Sequence, residues 1–429
     1  MSAVAPVSTF WAAIRMSKKI YGLVGRKLGH SYSAAIHNML GNDEYKLYEL
    51  EPSELGGFAR RDDIGAFNVT IPYKTDIIPF LDHVSPEAVK IGSVNTVVRR
   101  NGELWGYNTD LFGVEYGFSR AGIALAGKKT VIFGSGGSSS TVRAAAEKAG
   151  AAEIVTISRS GEDNYNNLNR HSDAQILVNT TPLGMYPKPG EFAADSADFP
   201  QCEGVFDLIY NPLRTAFLLR AEEMGIKKRA NGLSMLAAQA VRAHELFFGI
   251  TVPDGEIEFI IKKIYADKQN IVLIGMPGSG KTTVGRALGA LTGREVIDTD
   301  EIVERTAGRS IPEIFAESGE DAFRELERGA IRESGMRSGV IICTGGGAVK
   351  DPHNLAPLRQ NGRIYRLNRS LELLAREGRP LSGGDLSALA DEREPLYTRF
   401  ADVTIPANGS IEQTVKLIWE DYSVRTIDK

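Results

Sequence analysis

Asn270–Leu291, NIVLIGMPGSGKTTVGRALGAL, decides how this chain is read. The apolar run after Asn270, IVLI, reads as a strand. Gly275-Met-Pro-Gly-Ser-Gly-Lys-Thr282 then satisfies GxxxxGK[ST] at every fixed position, and Thr283 to Leu291 reads as a helix. Glycines let successive backbone N–H groups wrap a phosphate, and the helix N-terminus adds positive potential. Lys281 can reach the outer phosphates and the Thr282 hydroxyl can ligate magnesium. Gly278, Ser279, Gly280, Lys281, Thr282 and Thr283 are therefore candidate nucleotide ligands.

The next strand, EVIDTD, ends in Asp298-Thr-Asp300. A carboxylate there, beside a phosphate loop, can hold magnesium or orient a hydroxyl nucleophile, as phosphoryl transfer requires. From Gln269 onward the chain has 17 Arg against 4 Lys. Arg presents a planar fork that matches carboxylate and phosphate, which Lys does not.

Upstream, Pro253-Asp254-Gly255 breaks the chain and the amphipathic stretch Glu256–Lys268 leads into the phosphate-loop strand. The main boundary is expected between Ile250 and Gln269, with 250–268 as linker and 269–429 as one α/β domain. Before it, TVIFGSGGSSS, an Ala-rich helix to Ala149 and EIVTIS form a strand–loop–helix–strand unit. Gly134-Ser135-Gly136-Gly137-Ser138 fits a dinucleotide loop in its first two glycines, and its placement raises the fit. The following strand ends in Ser158-Arg159-Ser160, where an NAD site usually carries Asp or Glu; Arg159 suits a 2′-phosphate, so NADP is expected. Further upstream, FNVTIPYK puts Thr70 and Lys74 after a strand, and Asn108-Thr-Asp110 offers a carboxylate after another. A lysine beside a carboxylate in a closed cleft can exchange a proton with a reacting oxygen, but spacing does not show whether Lys74 meets Asp110. Asn101-Gly102 between two apolar runs is a hairpin signal. Leu233–Phe248 reads as a helix that returns to the first domain.

At 429 residues with 42% hydrophobic and 24% charged residues, the chain has room for about three globular units. Its 50 basic and 54 acidic residues nearly cancel, which argues against a broad basic nucleic-acid surface. No apolar run approaches the ~20 residues a membrane-spanning helix needs. Cys202 and Cys343 make no disulfide framework, and a reducing cytoplasm is the expected compartment. Met1–Ser17 lacks a signal-peptide pattern and reads as a flexible extension, with Met16 a possible alternative start. His30 and His37 could by residue type act as general acids or bases, Cys343 is assigned a packing role, and no His/Cys cluster has zinc spacing.

IGMPGSGKTTVGRALG, IDTDEIVE, EIFAESGEDAFRELE, ICTGGGAV, GRPL and REPLY together resemble shikimate kinase, from Asn270 to Tyr422. The resemblance implies a P-loop, nucleoside-monophosphate-kinase-like fold that moves the γ-phosphoryl of ATP to the 3-hydroxyl of shikimate. It implies that Asp300, Arg324, Gly346, Gly347 and Arg393 hold shikimate, with Asp300 catalytic. Lys281, Thr282 and Asp298 would serve ATP and magnesium, and Arg379 would close over the phosphates from a lid, with Arg376 a weaker candidate. Only Glu377 and Gly378 separate those two arginines, a shorter lid than the family usually has.

GHSYSAAIHN, FNVTIPYK, GSVNTVV, GYNTD, GSGGSSS, NTTPLGM, DLIYNPLRTAFL and NGLSMLAAQA follow in the order of shikimate dehydrogenase, over Lys19–Gly249. That resemblance implies a substrate domain, 18–110 completed by a helix in 231–249, and a Rossmann-type NADP domain, 111–230. It implies Ser31, Ser33, Asn68, Thr70, Asn95, Asp110, Tyr210 and Gln239 as shikimate ligands and Lys74 with Asp110 as the catalytic pair. Ser158 and Arg159 would touch NADP, and Gly232 and Met235 would face its nicotinamide; the family's usual Asn is Ser158 here.

The expectation is thus a bifunctional α/β enzyme with NADP(H), ATP and magnesium, acting on small molecules and engaging neither nucleic acid nor membrane. Competing readings are a quinate-using, NAD-linked dehydrogenase in the first half and a catalytically dead, regulatory half. Repeats, coiled coil and charge runs give a scaffold no support, and oligomeric state stays open.

Overall fold

The computed structural model describes residues 19–29, 31–374 and 386–428. The expected extension 1–17, His30, Arg376 and Arg379 lie outside them. Contacts divide the described chain into two compact units. The first runs to Leu183 and includes Ala193–Tyr210 and Arg220–Ile261; the second comprises Gly184–Phe192, Asn211–Leu219 and the chain from Lys262 on.

The first unit holds two sheets. One is mixed, ordered β2-β1-β3-β5-β6-β4. Its strands are β1 (Ile20–Gly25), β2 (Tyr45–Glu49), β3 (Ile64–Val69), β4 (His83–Val84), β5 (Thr96–Arg100) and β6 (Glu103–Tyr107). The Asn101-Gly102 signal is fulfilled: both residues take positive φ, +51° and +90°, and join β5 to β6. Val24, Phe67, Val69 and Val97 pack on one face. Tyr21, Leu23, Ala66 and Val98 pack on the other, against Ala243 and Phe247 of the helix Leu233–Phe248. That late helix therefore returns to the first sheet, because its apolar stripe covers a face that would otherwise meet water.

The second sheet is wholly parallel, ordered β11-β10-β9-β7-β8: β7 (Lys129–Phe133), β8 (Glu153–Ile157), β9 (Ile176–Asn179), β10 (Gly204–Asp207) and β11 (Lys228–Ala230). Counted from β7 the order is 2-1-3-4-5, so the crevice above the β7/β9 pair is the topological switch point where doubly wound sheets bind ligands. The helix Gly137–Lys148 starts there. The stretch expected to be a linker is helical over Glu256–Lys268, and Glu258 accepts from Arg120 Nε at 2.8 Å and Nη2 at 3.1 Å.

The second unit is built on another parallel sheet, ordered β13-β14-β12-β15-β16: β12 (Asn270–Ile274), β13 (Val296–Asp298), β14 (Ile341–Cys343), β15 (Gly362–Asn368) and β16 (Val403–Pro406). Alternate residues of β12 enter different cores: Val272 and Ile274 one, Ile271 and Leu273 the other. This explains why NIVLI carries no polar alternation. Fully burying each such side chain contributes roughly 1.5–3 kcal/mol. Among the described residues no helix is long and apolar enough to cross a membrane.

Gly22 tests the strand packing. A Cβ there would stand 2.2 Å from the Lys46 carbonyl of β2, a backbone atom that cannot swing away. Gly22→Ala should destabilise the first unit by about 3 kcal/mol, whereas Gly57→Ala, in open space on the helix Leu55–Ala59, should be neutral or stabilising. Differential scanning calorimetry of the two variants checks this; equal transitions would contradict it.

Candidate active sites

In the first unit, β3 delivers Asn68, and the loop after it delivers Thr70 and Lys74. Val94 N donates to the Lys74 carbonyl at 2.8 Å and fixes that loop against the strand pair. Beyond β6, Thr109 N donates to Asn95 Oδ1 at 2.7 Å, and Asp110 opens the helix Asp110–Arg120. The two anchors bring Lys74 Nζ to 2.6 Å from Asp110 Oδ2, with side chains 17% and 8% exposed. The meeting that spacing left open is thus made.

The other expected substrate ligands are held in different ways. Asn68 is buried and its amide is engaged: Nδ2 donates to Asn95 O and Thr96 Oγ1, and Oδ1 accepts from Tyr45 Oη at 2.8 Å. Ser31 Oγ accepts from Ser33 N at 3.2 Å, a local turn. The Tyr32 ring between those serines lies 5.2 Å from that of Tyr210, and burial pushes both phenols up, Tyr32 to about 12. Thr70 packs on Gly25 at the end of β1. Met235 and Gln239 face Gly113, one turn beyond Asp110; a Cβ on Gly113 would stand 2.6 Å from the Met235 carbonyl. Gly232 N donates to the carbonyl of Ile209, next to Tyr210, and a Cβ there would stand 1.9 Å from the Leu208 carbonyl, so only glycine fits.

The glycine loop occupies the switch point. Gly134 has φ +107° and donates to the Ile157 carbonyl at the end of β8, next to Ser158. Gly136 caps the helix Gly137–Lys148, and nothing lies within 4 Å of a Cβ built on it, leaving the backbone approachable beside unpaired helix N–H groups. A Cβ on Gly137 would meet only Ser93 Oγ, at 3.7 Å, and the Ser93 carbonyl accepts from Asn108 Nδ2. Through Ser93 the dinucleotide loop borders both the Lys74 and the Asp110 segments. Ser135 and Ser138 lie within this loop and helix start. Arg159 is exposed after β8, with no ion-pair partner among the described residues.

In the second unit, Gly275, Gly278 and Gly280 take φ of +150°, +85° and +94°, and the helix Lys281–Thr292 starts at once. Lys281 Nζ donates to the carbonyls of Gly275 and Met276. Thr282 Oγ1 donates to Asp298 Oδ2 at 2.7 Å, so the two expected magnesium ligands meet. Asp298 Oδ1 accepts from Asp300 N and caps the helix Thr299–Ala307. A cavity of about 330 Å³ joins this loop, from Gly278 to Thr283, to Asp300, Arg324, Gly346, Gly347 and Arg393, the five expected shikimate ligands. Of the expected nucleotide ligands on this loop, only Ser279 is absent from the cavity lining. Arg393 is 2% exposed and donates from Nη1 to the Gly346 carbonyl at 3.0 Å.

Residues 277–423 match the family model for shikimate kinase, and residues 23–97 that for the shikimate dehydrogenase substrate binding domain. A shikimate dehydrogenase (NADP(+)) of Clostridium perfringens is 33% identical over 267 residues, covering 57% of this chain and 98% of the relative. The chain belongs to the shikimate dehydrogenase family. Among solved structures, shikimate dehydrogenase 1 of Peptoclostridium difficile shares 35% identity with a TM-score of 0.54, covering 57% of this chain and 97% of that one. Shikimate 5-dehydrogenase of Thermus thermophilus, solved with NADP(H) and shikimate, shares 30% identity with a TM-score of 0.51, covering 57% and 99%. This shikimate dehydrogenase carries a shikimate kinase domain after it in the same chain.

Sequence motifs did not single out every residue of these sites. In the kinase domain Glu327, one turn after Arg324, is buried and accepts from Arg324 Nη1 at 2.7 Å; the i,i+3 spacing was its only signal. Tyr397 Oη donates to the same Gly346 carbonyl as Arg393. In the dehydrogenase, Tyr45, Thr96 and Thr109 tie Asn68 and Asn95 together, and each reads as an ordinary strand or turn residue until the register is known.

Asp300 Oδ1 and Glu327 Oε1 are buried without partners, and a Cβ on Gly345 would lie 2.6 Å from one and 2.9 Å from the other. Burial, then the neighbouring Asp298, push the Asp300 carboxyl up to about 6, against the pull of Lys281. Burial also raises Glu327, with Arg324 opposing. Because its folded value exceeds that of the unfolded chain, ionised Asp300 costs stability above pH 6, and the cost fades as pH falls from 6 to about 4. Asp300→Asn should therefore stabilise the kinase domain by on the order of 1–3 kcal/mol at pH 8 and by steadily less below pH 6. Calorimetry across that range checks it; a variant no more stable than wild type at pH 8 would contradict it.

Proposed function

We propose that this chain reduces 3-dehydroshikimate to shikimate with NADPH and then phosphorylates the new 3-hydroxyl with ATP, two consecutive steps toward aromatic amino acids. The reading rests on one observation made twice: in each unit a carboxylate expected to take part in proton transfer stands beside a loop built for phosphate. Asp110 is held at Lys74 on the border of the Gly134–Gly137 loop, and Asp300 shares a cavity with Lys281 and Thr282. On this reading 18–110 with the helix in 231–249 is the substrate domain, 111–230 the NADP domain and 269–429 the kinase domain.

For the first reaction, open space over Gly136 and the helix N–H groups behind it suit a pyrophosphate, and exposed Arg159 suits the 2′-phosphate of NADP. NADPH supplies the hydride to the C3 carbonyl carbon. Lys74, as an ammonium, gives the proton to the carbonyl oxygen as the C–H bond forms, and Asp110 holds Nζ in place. Ser31, Ser33, Asn68, Thr70, Asn95, Tyr210 and Gln239 bind the hydroxyls and carboxylate.

For the second reaction, Arg324 and Arg393 grip the shikimate carboxylate, the task for which guanidinium forks are suited. Asp300 is poised to accept the 3-hydroxyl proton as that oxygen attacks the γ-phosphorus and the bond to the bridging oxygen of ADP breaks, and a carboxyl held up to about 6 is a better base than an ordinary one. Thr282 and Asp298 offer two hard oxygens at the loop mouth and would hold magnesium there. Held by these two residues, the ion would supply positive charge against that building on the transferred group.

Single substitutions should split the activities. Lys74→Met should lower NADP-linked shikimate oxidation by on the order of 10²–10⁴ and leave ATP-dependent phosphorylation near wild type. Lys281→Met should do the reverse. The assay is one mixture of 3-dehydroshikimate, NADPH, ATP and magnesium, followed for NADPH loss and shikimate 3-phosphate, with each half also assayed alone. Persistence of both activities in either variant would refute the assignment.

A further inference from the structure

Three arginines follow one another along β15 and into the loop after it, at positions 363, 366 and 369. The first two are matched by acids. Arg363 Nε donates to Asp421 at 2.7 Å, and Arg366 Nη1 donates to Glu394 at 2.6 Å. Arg369 has neither ion pair nor hydrogen bond among the described residues, and its Nε is buried without a partner. Its backbone is held on both sides: Ala407 N donates to the Asn368 carbonyl, and Ser370 N to Asn408 Oδ1 at 2.8 Å.

The side chain goes to the nucleotide loop. Arg369 Nη1 is 3.6 Å from the point where a Cβ on Gly280 would sit, and Gly280 caps the helix that Lys281 begins. A half-buried guanidinium, a buried lysine and the positive end of a twelve-residue helix thus crowd together. Left so, these like charges repel; an anion lying along the loop relieves them all. Within that loop Ser279 is 1% exposed and its Oγ also has no partner. Arg369 does not line the cavity shared by Asp300 and Arg324, so it approaches the loop from elsewhere than the proposed shikimate ligands.

We propose that Arg369 is a further phosphate-binding residue of the kinase domain, gripping the polyphosphate of the nucleotide bound along Gly275–Thr282. This rests on the kinase reading above and deepens it. Nothing in the phosphate-loop motif points to position 369, which lies 87 residues beyond Thr282 in sequence and reaches the loop only because β15 pairs with β12.

The test is isothermal titration of the full chain with magnesium-ATP, and competition by inorganic tripolyphosphate, for wild type, Arg369→Met and Arg369→Lys. The Met variant should lose about tenfold in affinity for both probes, the size of one charge-assisted contact, and Lys should recover part of it. The NADP-linked activity should stay unchanged. Without nucleotide the Met variant should melt no lower than wild type, because a repelled cation has been removed; a merely structural arginine would give the opposite. Wild-type affinity in the Met variant overturns the proposal, as does a loss for ATP with none for tripolyphosphate, which would put Arg369 on base or ribose. A wild-type chain that fails to bind magnesium-ATP would instead bring down the kinase reading, and the proposal with it.

Discussion

A helix that begins directly after a buried parallel strand has N–H groups in its first turn that nothing in the helix can accept. Both units of this chain are arranged around that constraint. Gly134–Gly137 and Gly275–Gly280 each leave the C-terminal end of the first strand of a parallel sheet and turn at once into a helix. The adjoining strand is then tied to the same crevice: Thr180 Oγ1 donates to the Phe133 carbonyl, and Thr344 Oγ1 to the Leu273 carbonyl. Glycine is needed at these corners for two physical reasons, positive φ and close approach. Gly134 and Gly275 illustrate both, since each has positive φ and a Cβ that would come within 3 Å of a neighbouring strand's atoms or the loop's own.

Around this shared element the two sites manage charge differently. Beside the dehydrogenase loop one cation meets one anion at 2.6 Å, and the remaining expected ligands are amides and hydroxyls, of which Asn68 and Asn95 are tied into one hydrogen-bonded network. In the kinase domain, Asp298, Asp300 and Glu327 gather with Lys281, Arg324 and Arg393 around one cavity, and two carboxylate oxygens remain unpaired. Buried charges without partners are costly. Such a cavity is poised for a ligand that brings an anion to the arginines and a hydroxyl to Asp300.

The elements that carry these sites were legible in the sequence because they depend on local rules. NIVLI was recognisable as a strand by its unbroken apolar run, Gly275–Thr282 by spacing, Asn101-Gly102 by turn chemistry and Leu233–Phe248 by composition. What escaped depends on register between distant segments. Lys74 and Asp110 are 36 residues apart, and their meeting follows from how Val94 and Asn95 anchor two different loops. Tyr45 reaches Asn68 because β1 pairs with both β2 and β3. Glu327 closes the stretch EIFAESGEDAFRELE, but its burial against Arg324 follows a break in the helix at Gly319, φ +80° and ψ 178°, that the sequence pattern does not show.

On the proposed function the same molecule, shikimate, is product in one unit and substrate in the other, and the two sites suit those opposite tasks. Neutral amide and hydroxyl contacts contribute roughly 0.5–1.5 kcal/mol each, whereas hydrogen bonds to charged groups contribute about 1.5–3 kcal/mol. A dehydrogenase site that surrounds the Lys74–Asp110 pair with Asn, Ser, Thr and Gln fixes orientation while keeping its grip on product modest. A kinase site that presents Arg324 and Arg393 to the carboxylate holds the same molecule more firmly, with Asp300 poised at the hydroxyl the first reaction makes. On that reading the kinase site would take up the shikimate that the dehydrogenase site releases, whether or not it is ever passed directly between the sites.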